Sequence, residues 1–202
     1  MLHLPGKVTV FILLCLAVSA IGFIMHLVAV CTPFWLISKK GGETQAWTGL
    51  WKVCKRTTKW TKYYCEDVPE ELTGTTLRAV QGSVLASLLF ILVGGVATVA
   101  ALAMARENLN HTNLLRFSSV VNFFAVISSL ASAVIFWVKT NYFRDSKYVD
   151  QDSTTTIDTG FSLKLEIATA IFMFLASIMA LIHIRVKDGL QQMVGNNQVI
   201  RV

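Results

Sequence analysis

The residues best placed to do chemistry are Cys54 and Cys65, with ten residues between them in a stretch rich in lysine and aromatic side chains. Cys15 and Cys31 belong to an apolar segment or its end, so Cys54 and Cys65 are the only pair in a polar segment. A structural disulfide between them requires an oxidising, extracellular environment, and two free cytosolic thiols are the alternative. Around the pair stand Lys55, Arg56, Lys59 and Lys62, opposed by Glu66 and Asp67. Such a set suits electrostatic docking or ion filtering, against the plainer reading of a solvated, salt-screened surface. Enzymatic chemistry is not expected. His3, His26, His111 and His183 are scattered, and none pairs with Cys, Asp or Glu at metal-ligand spacing. His26, toward the outer end of the first apolar block, is expected to pack structurally, within reach of an interhelical polar group. No phosphate loop, nucleophile elbow or carboxylate pair occurs, so neither a metal nor a cofactor is expected.

The elements that must hold these residues are membrane spans. Of 202 residues, 54% are hydrophobic and 15% charged, where soluble domains carry about a quarter charged residues. The excess lies in four blocks, about 8–30, 80–105, 117–138 and 165–184. Each can cross a hydrocarbon core of roughly 30 Å, which needs about 20 helical residues. The first block exceeds the apolar core of a signal peptide, about 7–15 residues, and reads as a retained span. Helices satisfy every backbone polar group within the segment, and the runs lack the alternation of barrel strands. The fold class is therefore mainly α: a four-helix membrane bundle, one domain over 1–202, with loops at about 31–79 and 139–164 and a tail at 185–202. Ionisable residues are expected only at span ends, which argues against a proton relay or transporter. Gly82, Ala86, Gly94, Gly95, Ser128 and Ser132 are the small residues expected at helix crossings.

Orientation presents a conflict. With cytosolic termini, only six of the 18 Lys and Arg residues lie inside, and eight of the remainder fall between Lys39 and Arg78. Counted alone, the positive-inside rule favours the opposite topology. The disulfide reading outweighs it and places the long loop outside. Asn110-His111-Thr112 is a glycosylation sequon in the short connection, expected to stay unmodified with that connection in the cytosol.

In the long loop, Phe34, Leu36, Trp47, Leu50, Trp51, Val53, Tyr63 and Tyr64 are strand-forming types, and Gly41-Gly42 is a turn signal. A small antiparallel sheet is expected, with a Cys54–Cys65 bridge between neighbouring strands. Trp35, Gly49-Leu50-Trp51, Cys54 and Cys65 together resemble the signature of the claudin superfamily. That superfamily spans claudins, peripheral myelin and epithelial membrane proteins, a lens fibre membrane protein and calcium-channel γ subunits. Arg78 matches a basic residue that claudins place at the second span. The resemblance covers the whole topology and is most like a claudin. It implies a left-handed four-helix bundle topped by a five-stranded extracellular sheet, anchored near the outer membrane surface by Trp35, Gly49, Leu50 and Trp51. Trp also prefers the membrane–water interface on physical grounds.

The functional expectations follow from that resemblance. In claudins, charged side chains of the first loop line paracellular pores, and the position after the second loop cysteine, here Glu66, often sets charge preference. Glu66 alone suggests cation preference; the surrounding cations suggest the reverse. In the second loop, Tyr142, Phe143 and Tyr148 are candidates for adhesion in trans, and Gly160-Phe161 resembles a small-aromatic element of the family. The tail Ile200-Arg201-Val202 suits a PDZ groove, although claudins usually end in Tyr-Val. It also lacks the cysteine cluster many claudins carry after the fourth span. The chain is expected in the plasma membrane at cell–cell junctions. Its expected partners are the lipid bilayer, itself or related claudins in cis and trans, and PDZ scaffold proteins, with no nucleic acid. The rival readings are an auxiliary subunit of an ion channel or receptor, and a myelin- or epithelial-type membrane organiser.

Overall fold

The structure, a computed structural model, describes residues 5–56, 63–68, 74–107, 109–143 and 155–199, with the backbone alone at 5–9, 139–143, 155 and 190–199. Each apolar block folds as one long helix: α1 (Pro5–Cys31), α2 (Thr75–Arg106), α3 (Thr112–Phe143) and α4 (Phe161–Val199). All four hold stretches long and apolar enough to cross a membrane, Val10–Cys31, Thr75–Arg106, Thr112–Val138 and Phe161–Gly189. Several helices outrun the apolar blocks, because polar residues outside the hydrocarbon continue a helix at little cost once a nucleus exists. One consequence is that Tyr142 and Phe143 lie in the last turn of α3, not in a loop.

The segments between α1 and α2 and between α3 and α4 meet at one end of the bundle in a single antiparallel sheet. Its strands are β1 (Leu36–Lys40), β2 (Glu43–Thr48), β3 (Lys52–Arg56), β4 (Tyr63–Asp67) and β5 (Thr155–Thr159), in the order β4-β3-β2-β1-β5. Gly41 and Gly42, at φ 58° and 86°, form the two-residue turn between β1 and β2. Both positions need positive φ in the tight hairpin turn whose twist matches the strands, which glycine adopts without strain. β5 closes the sheet against β1, with Leu36 opposite Thr159 and Lys40 opposite Thr155.

Inside the bundle the crossings are lined with small polar side chains. Ser83 and Ser128 each donate to the other's carbonyl at 2.8 Å, joining α2 to α3. Ser119 and Ser177 face each other at 2.9 Å and join α3 to α4. Such bonds suit a lipid environment, where apolar surfaces gain nothing by leaving hydrocarbon. Of the glycines expected at crossings, Gly94 packs so tightly against Asn122 that a Cβ there would collide with its side chain. Gly82 and Gly95 do not: neither has a neighbour a Cβ would touch. Gly95 instead lines an apolar groove of about 500 Å³ between α1 and α2, with Leu16, Phe23, Ile91 and Val99.

Candidate functional site: the sheet, its seat and the polar tier beneath

The signature tryptophans serve the end of α1. The last carbonyls of a helix have no partner within it, and Pro33 prevents α1 from continuing. Trp35 donates its indole Nε1–H to the Ala29 carbonyl at 2.8 Å, and Trp51 donates to the Val30 carbonyl at 2.9 Å. The two rings thus cap α1 from the sheet side. Trp35 is fully buried, with its ring edge-on to Phe136 of α3 at 4.9 Å; Trp51 keeps 38% of its surface exposed. Leu50 is fully buried, and its carbonyl accepts from Gln81 Nε2 of α2 at 2.8 Å. Gly49 lies so close to Pro33 that a Cβ would come within 2.5 Å of the Pro33 Cα. Gly160 is pressed in the same way against the Phe34 carbonyl, and its N–H donates to the Trp35 carbonyl at 2.8 Å. Thr32 and Ser162 share a hydroxyl hydrogen bond of 2.7 Å, tying α1 to α4. Arg78 is exposed in the first turn of α2.

On the sheet, Cys54 and Cys65 are directly opposed on β3 and β4 and joined by a disulfide. Trp47 lies opposite Cys54 and stacks on Tyr63 at 4.0 Å beside it. Opposed residues of an antiparallel pair point to one face and successive residues alternate. Val53↔Glu66 and Lys55↔Tyr64 therefore share one face, while Lys52↔Asp67, Cys54↔Cys65 and Arg56↔Tyr63 share the other. This divides the candidate charge filter. Lys55 and Glu66 are brought together at 3.2 Å, each side chain about 40% exposed. Asp67 and Arg56 occupy the opposite face, where Arg56 pairs with Glu43. Lys39 is also engaged, with Asp158 at 2.8 Å. Three of the loop's basic side chains, Lys39, Lys55 and Arg56, are thus matched by carboxylates. Lys59, Lys62, Tyr148, Ile200, Arg201 and Val202 lie outside the described residues, and for Tyr142 and Phe143 only the backbone is described.

Beneath the sheet lies a buried polar tier at the sheet-side ends of the spans. Glu166, in the second turn of α4, is fully buried, and so is His26 of α1. His26 Nδ1 faces Glu166 Oε2 at 2.9 Å, and His26 Nε2 lies 3.1 Å from the Val84 carbonyl of α2. From α3, Ser129 donates to Glu166 Oε1 at 2.6 Å, and Ser132 stands 3.5 Å from the same oxygen. All four helices contribute to one network. The sequence signal was a lone histidine in one apolar block and a lone carboxylate at the head of another; only their meeting shows that they belong together.

At the opposite end, the Asn110 side chain accepts the Thr112 N–H at 3.2 Å at the start of α3. His111 is buried there beside His183, ring centroids 5.8 Å apart, and His183 stacks on Phe11 at 5.3 Å. Among the described residues no group of three or more His, Cys, Asp or Glu side chains could hold a metal ion.

No curated protein matches the chain significantly. Residues 8–180, from the first helix into the fourth, match the PMP-22/EMP/MP20/Claudin family. Four apolar helices, a five-stranded sheet over their end, and a disulfide between its third and fourth strands agree with that match. The chain is a membrane protein of the PMP-22/EMP/MP20/Claudin family.

Proposed function

We propose that this protein is a claudin-like, non-enzymatic cell–cell junction component that associates within the membrane and pairs between cells, forming a paracellular barrier or ion-selective pore. The observation that carries this reading is the seating of the sheet. Trp35, Trp51, Gln81 and the Ser162 N–H, which donates to the Phe34 carbonyl, tie it to α1, α2 and α4, so it stands as a platform beyond the spans, presenting charged and aromatic side chains. A platform fixed in this way can meet the same platform on a facing cell without first paying to order a loop. The disulfide supports an extracellular sheet, and with it cytosolic termini and an unmodified Asn110. Tyr142, Phe143 and Tyr148 are proposed for contact in trans. Ile200, Arg201 and Val202 are proposed as a PDZ ligand, with Val202 as the terminal apolar side chain.

The filter proposed here is the half-exposed Lys55–Glu66 pair, together with Lys59 and Lys62 of the same loop. The test is fluorescence of the tagged protein in fibroblasts that lack tight junctions. Enrichment only at contacts where both cells express it is the expected result. Uniform membrane label would replace this reading with an auxiliary channel subunit or membrane organiser, to be separated by co-purification of a channel.

A further inference from the structure

We propose that the His26–Glu166 network is a register pin: a buried polar tier, drawn from all four helices, that sets the axial position at which they carry the sheet. Two observations lead there. The first is a buried close approach. His26 Nδ1 and Glu166 Oε2 come within 2.9 Å of each other in a fully buried site, and neither atom makes a hydrogen bond. Each therefore depends on the other's electrostatic contact in place of water. Around them His26 Nε2 lies 3.1 Å from the Val84 carbonyl, and Ser129 donates to the other carboxyl oxygen.

The second observation is spacing. Each helix gives at least one residue to this tier and another, about one turn nearer the sheet, to the sheet's seat. On α1 these are His26 and the capped carbonyls of Ala29 and Val30. On α2 they are Val84 and Gln81, on α3 Ser132 and Phe136, and on α4 Glu166 and Ser162, whose N–H donates to the Phe34 carbonyl. A slide or rotation of any one helix would break the tier and misplace its contact with the sheet together. Apolar side chains between helices tolerate small slides; a hydrogen bond of about 3 Å does not.

The test is amide hydrogen exchange of the full-length protein in lipid nanodiscs, comparing residues 34–54 with the far end of the bundle. Glu166→Ala should raise exchange in the sheet segment by roughly 100-fold, because one member of a buried pair is left unmatched. Glu166→Gln, which keeps the side chain's shape and its acceptor for Ser129, should disturb the sheet far less than Glu166→Ala. Should Glu166→Ala fail to fold, Ser129→Ala removes a single donor and should raise sheet exchange more weakly. Ser119→Ala, which breaks the Ser119–Ser177 contact elsewhere on α3, should leave the sheet unchanged. The proposal is overturned if Glu166→Gln behaves as Glu166→Ala, if neither Glu166→Ala nor Ser129→Ala alters the sheet, or if Ser119→Ala disturbs the sheet as much as Ser129→Ala.

Discussion

Lys55 on β3 and Glu66 on β4 hold an ion pair of 3.2 Å across neighbouring strands, so the carboxylate beside Cys65 is answered by a cation on the same face. Half-exposed pairs of this kind contribute little to stability, about 0–1 kcal/mol. Their effect on local potential is larger. Lys55→Gln should leave the fold intact and shift paracellular selectivity toward cations, while Glu66→Lys should shift it toward anions. Dilution potentials across an epithelial layer expressing each variant measure both. Unchanged potentials in both would remove the pair from the filter.

The disulfide staples the edge strand β4 to its neighbour β3 in a sheet too small for a core of its own. Cys54→Ser or Cys65→Ser should cost roughly 2–4 kcal/mol of loop stability and trap the protein in the secretory pathway. Surface biotinylation measures delivery, and normal surface levels of either variant would show that the bridge is dispensable.

The capping role of Trp35 can be separated from its bulk. Trp35→Phe keeps an aromatic ring against Phe136 but removes the N–H that satisfies the Ala29 carbonyl. An orphaned buried acceptor costs about 1–3 kcal/mol, so the variant should melt measurably lower in detergent. Gly49→Ala should be damaging for a different reason, since the added methyl would meet the Pro33 backbone.

His111 makes the end opposite the sheet sensitive to acid. Burial lowers its pKa below the ordinary value of about 6.5; the Leu109 carbonyl opposes that shift and the Lys187 charge adds to it. The folded protein therefore binds this proton less readily than the unfolded chain. The stability involved is present in full above about pH 6.5 and is lost as pH falls through the folded value. Thermal melting of the unmodified protein should decline between neutral and mildly acidic pH, and His111→Gln should decline less. Parallel curves would exclude His111 as the titrating group.

How much was legible in the sequence depends on the range of the interaction. The four spans could be read because crossing hydrocarbon demands a continuous apolar run, a property of composition alone. Gly41-Gly42 marked a turn because the backbone angles there are a local demand, and Cys54 with Cys65 stood out as the only pair in a polar stretch. The signature Trp35, Gly49, Leu50, Trp51 was visible as a pattern, while its physical task was not: closing the carbonyls of α1 requires knowing where the sheet lands. The helix boundaries were blurred for a simpler reason, since a helix does not stop where the membrane does.

By itself, then, the sequence determined what must be apolar, what must turn and which cysteines could bond, because each follows from neighbours along the chain. Only the tertiary structure decided that Glu66 faces Lys55 while Asp67 faces away, since that depends on strand register. It also decided that Glu166 is buried against His26. Nothing local sets the rotation and axial offset of one membrane helix against another. Those are fixed by where hydrogen bonds close across the bundle, which is why the meeting of α1 and α4 at this pair appears only when all four helices are in place.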